Sequence, residues 1–470
     1  MIPIVEYPSI VRSSIPWFED VYTKPQLKNF QTYLAGLILS PIHTISYMNS
    51  MFYAHSDQSA LNNFITDSTW SDEKLEDARY RYILEGIRRC EKDTEGNGIL
   101  ILDDTLSHHE SARHMEFAGK FYDHSDQSFT WAHDVVTTHL AKGRLSIPLS
   151  SEIYLKDEQL KEDYLASINR RKNDKEESLP EDIAHILESE RFRTKNEIAR
   201  DLIRKAFDKG VPFSYVVADS WFLNCETVGL VESLKKDWFF GCKSDRVVLM
   251  PNGWTSLAEW AGTMPREKFE PASMWYEKKK HVFWCCAKNL KMRSLDGRRV
   301  RIVATYDNKE LKGDPHFYCT NRLDWNVYRI LSVYARRWRV DVFYRDAKQN
   351  LGLEDYEVRK IRGARRHISM VFTAHVLLVL GSAFVAAASE EEKSVAVPQS
   401  AKLAKDVRVA KAEACLDQTI GSRRRTVYKE VLTNLLVFVL KLGEKMKDEP
   451  GKIVQLLLSS KTMLQKSAKV

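Results

Sequence analysis

The chain has few of the features that mark disulfide-rich, zinc-binding or repeat proteins. Its seven cysteines are an odd number and include no CxxC pair, so the sequence predicts neither a disulfide framework nor a zinc knuckle. It also has no internal repeat and no low-complexity tract. The first residues lack the cationic and apolar regions of a signal peptide. These absences favour a protein of the reducing cytoplasm.

Long apolar runs are scarce too, and one run alone is long enough to span a bilayer. It extends from Ile368 to Ser389, which would suffice to cross the hydrocarbon core of a membrane. However, His375 lies inside it, and Gly381 and Ser382 interrupt it. We therefore expect a buried core helix and no membrane partner.

What the sequence does contain is an ordinary globular composition with an excess of positive charge. Of its 470 residues, 44% are hydrophobic and 29% are charged. A chain of this length can form two or three domains with their own cores. The formal net charge is +7, and basic residues concentrate at 336–366 and at 423–425. This balance fits a polyanionic partner. A charged stretch at 156–190 predicts an exposed helical excursion or a flexible crossover.

The spacing of apolar residues divides the chain into three segments. Residues 1–95 have helical periodicity, with Ser71 as a helix N-cap. Residues 96–375 contain buried-type strands alternating with helices, including a β-rich insertion at about 243–322. Residues 376–470 predict a helical, basic C-terminal region.

Two apolar runs that we predict as buried strands each end in aspartate. The run Ile99–Leu102 is followed by Asp103 and Asp104, and the run Phe213–Ala218 is followed by Asp219. Carboxylates at strand ends lie at the rim of an α/β sheet, where ligands bind. Each acid taken alone is more often a turn or cap residue.

A long helix, predicted to begin at the N-cap Asp324, carries the spacing Y-x2-R-x3-D-x6-K, which is formed by Tyr334, Arg337, Asp341 and Lys348. At 100° per residue, these four side chains project from one strip about 60° wide. A carboxylate can hold a divalent metal, while the cations and the hydroxyl can bind phosphate oxygens. A solvated helix face with an i,i+4 ion pair is the alternative. Together with the strand-end acids, Asp341 completes three hard oxygen ligands suited to Mg²⁺ or Mn²⁺.

These elements resemble the motifs of a DDE transposase of the YREK insertion-sequence superfamily. The matching motifs are Asp104-Thr105, Val217-Ala218-Asp219 and the helix from Tyr334 to Lys348, of which the last is the most specific. The resemblance spans roughly residues 57–375. It implies an α/β fold with a ribonuclease H-like mixed sheet flanked by helices, a β-rich insertion between the second and third acids, and helical N- and C-terminal regions. The helical N-terminal region, residues 1–95, would bind DNA at the terminal repeats.

The resemblance also implies an activity and its catalytic acids. Asp104, Asp219 and Asp341 would hold two Mg²⁺ or Mn²⁺ ions, with Asp103 as the fallback for the first acid. The third acid of the family is ordinarily Glu, so Asp341 is one methylene shorter. The implied enzyme cleaves double-stranded DNA at the terminal inverted repeats of an insertion sequence and joins it to target DNA, as a homodimer in the synaptic complex. A catalytically inactive, transposase-derived DNA-binding protein is the alternative.

We expect DNA contacts along the motif helix and just beyond it. Trp338 would either stack on an unpaired base or belong to the core, and Arg345 would reach flanking phosphate or solvent. The other predicted contacts are Tyr334, Arg337, Lys348 and a basic cluster of Arg359, Lys360, Arg362, Arg365 and Arg366.

A histidine-metal hydrolase is a rival interpretation. Its candidate ligands are His108, His109, Glu110, His114 and His124. Adjacent histidines point apart in either a helix or a strand, and no H-x3-H pair lies on a firm helix. We therefore regard this site as the weaker hypothesis.

Overall fold

The computed structural model describes residues 3–54, 57–90, 94–110, 115–123, 125–156, 193–276, 279–391 and 418–445. The charged stretch at 157–190, predicted as a helical excursion or crossover, lies outside these residues.

The structure alternates helices and strands. The α-helices in the described residues are Ser9–Arg12 (α1), Lys24–Leu39 (α2), Ile45–Ser50 (α3), Gln58–Thr66 (α4), Asp72–Arg89 (α5), Lys195–Asp208 (α6), Cys225–Ser233 (α7), Leu257–Thr263 (α8), Val327–Tyr334 (α9), Trp338–Leu351 (α10), Ile361–Glu391 (α11) and Ile420–Lys445 (α12). The strands there are Ile99–His108 (β1), Gly119–Asp123 (β2), Ser128–Lys142 (β3), Leu145–Tyr154 (β4), Tyr215–Ala218 (β5), Asp237–Cys242 (β6), Val247–Met250 (β7), Gly253–Ser256 (β8), Glu270–Tyr276 (β9), Lys279–Met292 (β10), Arg299–Tyr306 (β11) and His316–Thr320 (β12).

The chain forms two compact units. The helical unit comprises residues 1–93, 109–118 and 345–470, and the sheet unit comprises residues 94–108 and 119–344. The three-segment division at 1–95, 96–375 and 376–470 stays a prediction of domain boundaries.

The sheet unit is built on a mixed sheet in the order β4-β3-β1-β5-β6. β1 is antiparallel to β3, and β3 is antiparallel to β4. β5 is parallel to both β1 and β6. α6 packs on β3 and β4, and α7 packs on β6. A large mixed sheet flanked by helices agrees with the ribonuclease H-like fold, as predicted.

The β-rich insertion continues this sheet. β12 pairs with β6, and the order then runs β12-β11-β10-β7-β8, with β9 paired to β10. These strands extend from Val247 to Thr320, within the predicted interval of 243–322. The insertion therefore lengthens the edge of the sheet that ends at β6.

The first predicted strand is too short. We expected it to end at Asp103, but β1 continues to His108 and pairs with β3 along its whole length. The error arises because Asp103 and Asp104 are polar, and a purely apolar pattern stops before them. Both acids lie inside a strand and not at its end.

The single long motif helix is also a wrong prediction. α9 begins after the N-cap Asn326, whose side chain accepts the backbone N–H of Arg329, and not at Asp324. α9 ends at Tyr334, a 3₁₀ turn occupies Ala335–Arg337, and α10 begins at Trp338. The tighter turn changes the angle between Tyr334 and the α10 residues, so a constant 100° per residue does not describe them.

The helical unit is organised around α11. This helix contacts α1, α2, α4, α5 and α12, and a Cβ at Gly86 of α5 would lie 2.6 Å from Leu380 Cδ1. Residues 361–385 are long and apolar enough to cross a membrane, and 83% of an apolar 18-residue window within them is buried inside the structure. The apolar run thus forms the core helix expected from its sequence. Ser71 caps α5 as predicted, accepting the Lys74 N–H at 3.2 Å.

Candidate active site in the sheet unit

Asp103 and Asp104 lie on opposite faces of β1, because successive side chains in a strand alternate. Asp103 is opposite Thr137 of β3, and the Thr137 hydroxyl is 2.5 Å from the hydroxyl of Tyr344 in α10. Asp104 instead accepts a hydrogen bond from Lys195, the first residue of α6. Asp103 therefore faces α10, and Asp104 faces α6.

On the α6 face, Asp104 belongs to an ion-pair cluster with a second aspartate. Lys195 Nζ lies 2.9 Å from Asp104 Oδ2 and also pairs with Asp134 of β3. The Asp134 side chain is only 1% exposed. Burial and the neighbouring Asp104 raise the pKa of Asp134 to about 7, although Lys195 opposes this. Burial lowers the pKa of Lys195, but the two carboxylates raise this pKa by more than burial lowers it. The Lys195 ammonium group therefore stays charged.

On the α10 face, Arg337 connects Asp103 to the predicted third acid. Its guanidinium pairs with Asp103 and lies 3.8 Å from Asp341 Oδ2. Burial raises the pKa of Asp103 to about 8, and Arg337 acts against this rise. Carboxylates at positions 104, 341 and 219 raise it as well. Asp103 is thus close enough to each of the other three acids to be repelled by it.

Asp219 directly follows β5, at the carboxyl end of this central strand. Its Oδ1 accepts the backbone N–H of Trp221 at 2.9 Å. Burial raises the pKa of Asp219, the Trp221 bond lowers it, and the Asp104 charge raises it. Arg337 also lowers this pKa. Asp219 therefore interacts electrostatically with groups from both faces of β1.

The Tyr334 hydroxyl lies beside β6, next to the residue that follows Asp219. A Cβ at Gly241 of β6 would lie 3.0 Å from Ser220 N and 3.0 Å from Tyr334 Oη. The missing side chain thus lets both the turn after Asp219 and the tyrosine approach the strand. Burial raises the pKa of Tyr334 above its ordinary value, with Arg337 opposing. Its hydroxyl remains protonated and can donate a hydrogen bond.

Trp338 borders a cavity of about 160 Å³ in the sheet unit. The lining includes Phe283, Tyr318, Tyr334 and Arg337, and the rings of Tyr318 and Tyr334 lie 4.4 Å apart. Trp338 is 42% exposed, which excludes the alternative of a core tryptophan. Aromatic walls beside a guanidinium can accept a planar aromatic group.

The other predicted DNA contacts belong to the helical unit. Lys348 pairs with Glu354 at 2.6 Å and lies about 10 Å beyond Asp341 along α10, at 1.5 Å per residue. Lys360 pairs with Asp67 at 2.6 Å. Three further arginines are exposed, as a DNA contact requires: Arg345, Arg359 and Arg362.

Each of the two basic clusters, at 336–366 and at 423–425, contains an arginine with a structural role. This corrects the prediction that Arg366 contacts DNA. Arg366 is 1% exposed and donates to the carbonyl oxygens of Ser68 and Trp70. Arg423 is 4% exposed and donates to carbonyl oxygens of α11 at Leu378 and Val379. Basic side chains buried against carbonyls are not available to phosphates.

The rival histidine site receives no support. His108 Nε2 lies 2.8 Å from Asp123 Oδ2, which gives this histidine a structural partner, and the ring of His109 packs on Tyr356. His114 and His124 lie outside the described residues.

The acids suit a hard cation chemically, although the described part of the chain contains no ready-made ligand set. Within it, no three His, Cys, Asp or Glu side chains are arranged to hold a metal, because Arg337 and Lys195 pair with the acids. The donors are nevertheless carboxylates, which Mg²⁺ and Mn²⁺ prefer. The raised pKa values of Asp103 and Asp219 indicate buried, mutually repelling acids, which a divalent cation would stabilise. The donor chemistry thus fits, and Arg337 and Lys195 would have to move away from the acids before an ion could bind.

Sequence reasoning did not find Asp134, Lys195 or Trp221. The one local signal was a charged residue, Asp134, inside the otherwise buried run of β3. Lys195 contacts Asp104 across 91 positions in sequence, so no short motif could connect them. Trp221 follows Asp219 by two residues, but a tryptophan at this spacing has no recognisable role in the sequence alone.

Comparison with known proteins gives one family. A family model described as DDE superfamily endonuclease matches residues 17–282. The matched residues include Asp103, Asp104, Asp134 and Asp219, and they end before Asp341. No curated protein matches the chain, and assignment to the YREK superfamily stays a prediction. Because the family model covers more than half of the 470 residues, the protein belongs to the DDE superfamily endonuclease family.

Proposed function

We propose that this protein is a DNA transposase that cleaves DNA at the ends of an insertion sequence and joins the released end to target DNA. The observation that supports the proposal is the position of Asp103, which pairs with Arg337 beside Asp341 and has its pKa raised by the charges of Asp104, Asp341 and Asp219. Family membership supports endonuclease chemistry, and the motif around Asp341 supports the YREK type. Cytoplasmic location and a homodimeric synaptic complex are parts of the same proposal.

The acids would supply the metal site of this reaction. Asp104, Asp219 and Asp341, with Asp103 beside them, are the carboxylates that would hold two Mg²⁺ or Mn²⁺ ions. Bound there, the ions would supply Lewis-acid activation of water or a 3′-hydroxyl and neutralise charge on the phosphodiester. The resemblance favours Asp104 as the first acid, whereas Asp103 shares a face with Asp341.

The chain's own polar groups would orient the phosphodiester. Arg337 stands between Asp103 and Asp341, so its remaining donors can stabilise charge on a phosphoryl group bound beside them. The protonated Tyr334 hydroxyl can donate to the same group. Trp338 and the adjoining cavity offer an aromatic surface to an unpaired base.

DNA would also contact exposed basic side chains of the helical unit. Arg345, Arg359 and Arg362 are exposed, and Lys360 and Lys348 are held in ion pairs that phosphates can displace at modest cost, since such pairs are weak near solvent. The helical region of residues 1–95 would contact the terminal inverted repeats.

A plasmid-nicking assay tests the proposal. Purified protein is incubated with supercoiled plasmid and Mg²⁺ or Mn²⁺, and conversion to the nicked form is followed on a gel. We expect nicking by the wild type, loss of nicking in Asp219→Ala, and normal nicking in Asp208→Ala. Asp208 is an exposed acid at the end of α6, so it controls for removal of a negative charge from the same unit.

The catalytically inactive DNA-binding protein is the outcome that would replace this proposal. It requires that the wild type binds DNA and that no nicking is detected with either metal. Nicking restored by Asp341→Glu would then assign the loss of activity to the shorter third acid. Nicking that survives Asp219→Ala would instead show that another protein, or another site, cuts the DNA.

A further inference from the structure

Trp221 is an exposed aromatic residue attached to the second acid. Its backbone N–H donates to Asp219 Oδ1 at 2.9 Å, while Phe222 and Leu223 after it are 0% and 1% exposed. Trp221 itself is 53% exposed. The buried neighbours and the hydrogen bond fix the backbone, so the indole is held at the surface beside Asp219. An exposed tryptophan alone needs no explanation, but the charged groups around Trp221 distinguish it from other exposed aromatic residues.

Two ammonium groups lie beside the Trp221 ring. Lys243 Nζ is 5.4 Å and Lys195 Nζ is 5.8 Å from the ring centroid. β5 and β6 are parallel, so Asp219 after β5 and Lys243 after β6 emerge at the same edge of the sheet. Lys195 is held in place by Asp104 and Asp134, whereas Lys243 is exposed.

We infer that Trp221, Lys243 and Lys195 form a platform for one unpaired nucleotide of the DNA strand bound at the acids. A base can stack on the indole only if its face is open, which requires that it has left the duplex. Lys243, exposed and flexible, binds the phosphate of that nucleotide. Lys195, held by its carboxylates, lies over the ring at 5.8 Å from its centroid and keeps positive potential there. This inference deepens the proposed function and rests on it.

The platform explains how a strand end would be held near Asp219 without reading its sequence. Stacking tolerates every base, because each has an aromatic face, and a lysine contact to phosphate is equally indifferent to sequence. The specific prediction is therefore a preference for unpaired DNA at this site.

Binding of two DNA probes in EDTA tests the inference. One probe is a fully paired duplex, and the other is the same duplex with an unpaired oligo-thymidine 3′ arm. Fluorescence anisotropy gives the dissociation constants. We expect Trp221→Ala to weaken binding of the armed duplex by roughly 5- to 150-fold, as loss of one stacked base predicts, with little change for the paired duplex. Trp221→Phe should keep most of the affinity.

The matched control is Trp254→Ala. Trp254 is 43% exposed and lies 5.1 Å from a cation, Arg293, but it follows no acid of the site. We expect this variant to bind both probes as the wild type does. Lys243→Gln should reduce the slope of log K against log salt by about 0.7 for the armed probe, the value for one single-strand phosphate.

The outcomes separate this inference from the proposed function. If nicking depends on Asp219 but Trp221→Ala binds the armed probe normally, or loses affinity equally for both probes, the platform is wrong while the transposase proposal stands. If Trp221→Ala does not fold, Trp221→Phe and Lys243→Gln decide, and an unchanged salt slope in Lys243→Gln overturns the inference. If Asp219→Ala still nicks plasmid, the proposed function fails whatever these probes show.

Discussion

Two arginines of α11 that look alike in sequence have opposite environments, and exchanging each for methionine should separate stability from DNA binding. Arg362 is exposed, and Arg366 is 1% exposed. The guanidinium of Arg366 lies 3.8 Å from the centroid of the Trp70 ring. It donates hydrogen bonds to the carbonyl oxygens of Ile65, Ser68 and Trp70 and to the carboxylate of Asp72.

Arg366→Met keeps an unbranched apolar stem and removes all four of these hydrogen bonds. The bonds to the Ile65 and Trp70 oxygens are buried, and each buried acceptor left without its donor costs roughly 1–3 kcal/mol. Recovery of the cost of burying the guanidinium offsets part of this loss. We expect the free energy of unfolding of the helical unit to fall by about 3–5 kcal/mol, the range for breaking a buried charged pair. Arg362→Met should change it by less than about 0.5 kcal/mol.

Urea titration monitored by hydrogen exchange of α4 and α5 amides measures the stability of the helical unit separately from that of the sheet unit. DNA affinity, measured against salt concentration well below the unfolding midpoint, gives the second comparison. We expect Arg362→Met to lower the salt slope by about 0.9, as loss of one duplex phosphate contact predicts, and Arg366→Met to leave it unchanged. Equal unfolding midpoints for the two variants would refute the structural role assigned to Arg366.

Three further predictions concern charge. Burial lowers the pKa of His367 from 6.5 to about 4. The free energy of unfolding should therefore be highest above pH 6.5 and fall by about 3 kcal/mol as the pH decreases towards 4. In His367→Gln, the midpoint of urea unfolding should decrease less over the same pH range. Asp103→Asn and Asp104→Asn should each reduce plasmid nicking roughly 100-fold or more, and a fully active variant would remove that aspartate from the site. Asp341→Glu should still nick, because it keeps a carboxylate at this position and the third acid of the resembling family is ordinarily Glu. An inactive variant would indicate a site built for the shorter acid.

The local elements were largely predictable because they depend on short-range patterns. The apolar pattern located the strand that ends at Ala218, and Ser71 was recognisable as an N-cap. The failures also have local causes. β1 was cut short at its two acids, and the 3₁₀ turn at Ala335–Arg337 leaves no mark in a sequence with continuous helical periodicity.

The site was only partly predictable, because its contacts join distant parts of the chain. The sequence alone determined which acids follow apolar runs, the mixed α/β class and the apolar character of α11. Only the tertiary structure decided that Asp103 meets Arg337 across 234 positions and that Asp104 meets Lys195 across 91 positions. It also decided that Arg366 is buried while Arg362 is exposed. Periodicity states which residues share a face of one element, whereas the partner of that face depends on how the whole chain packs.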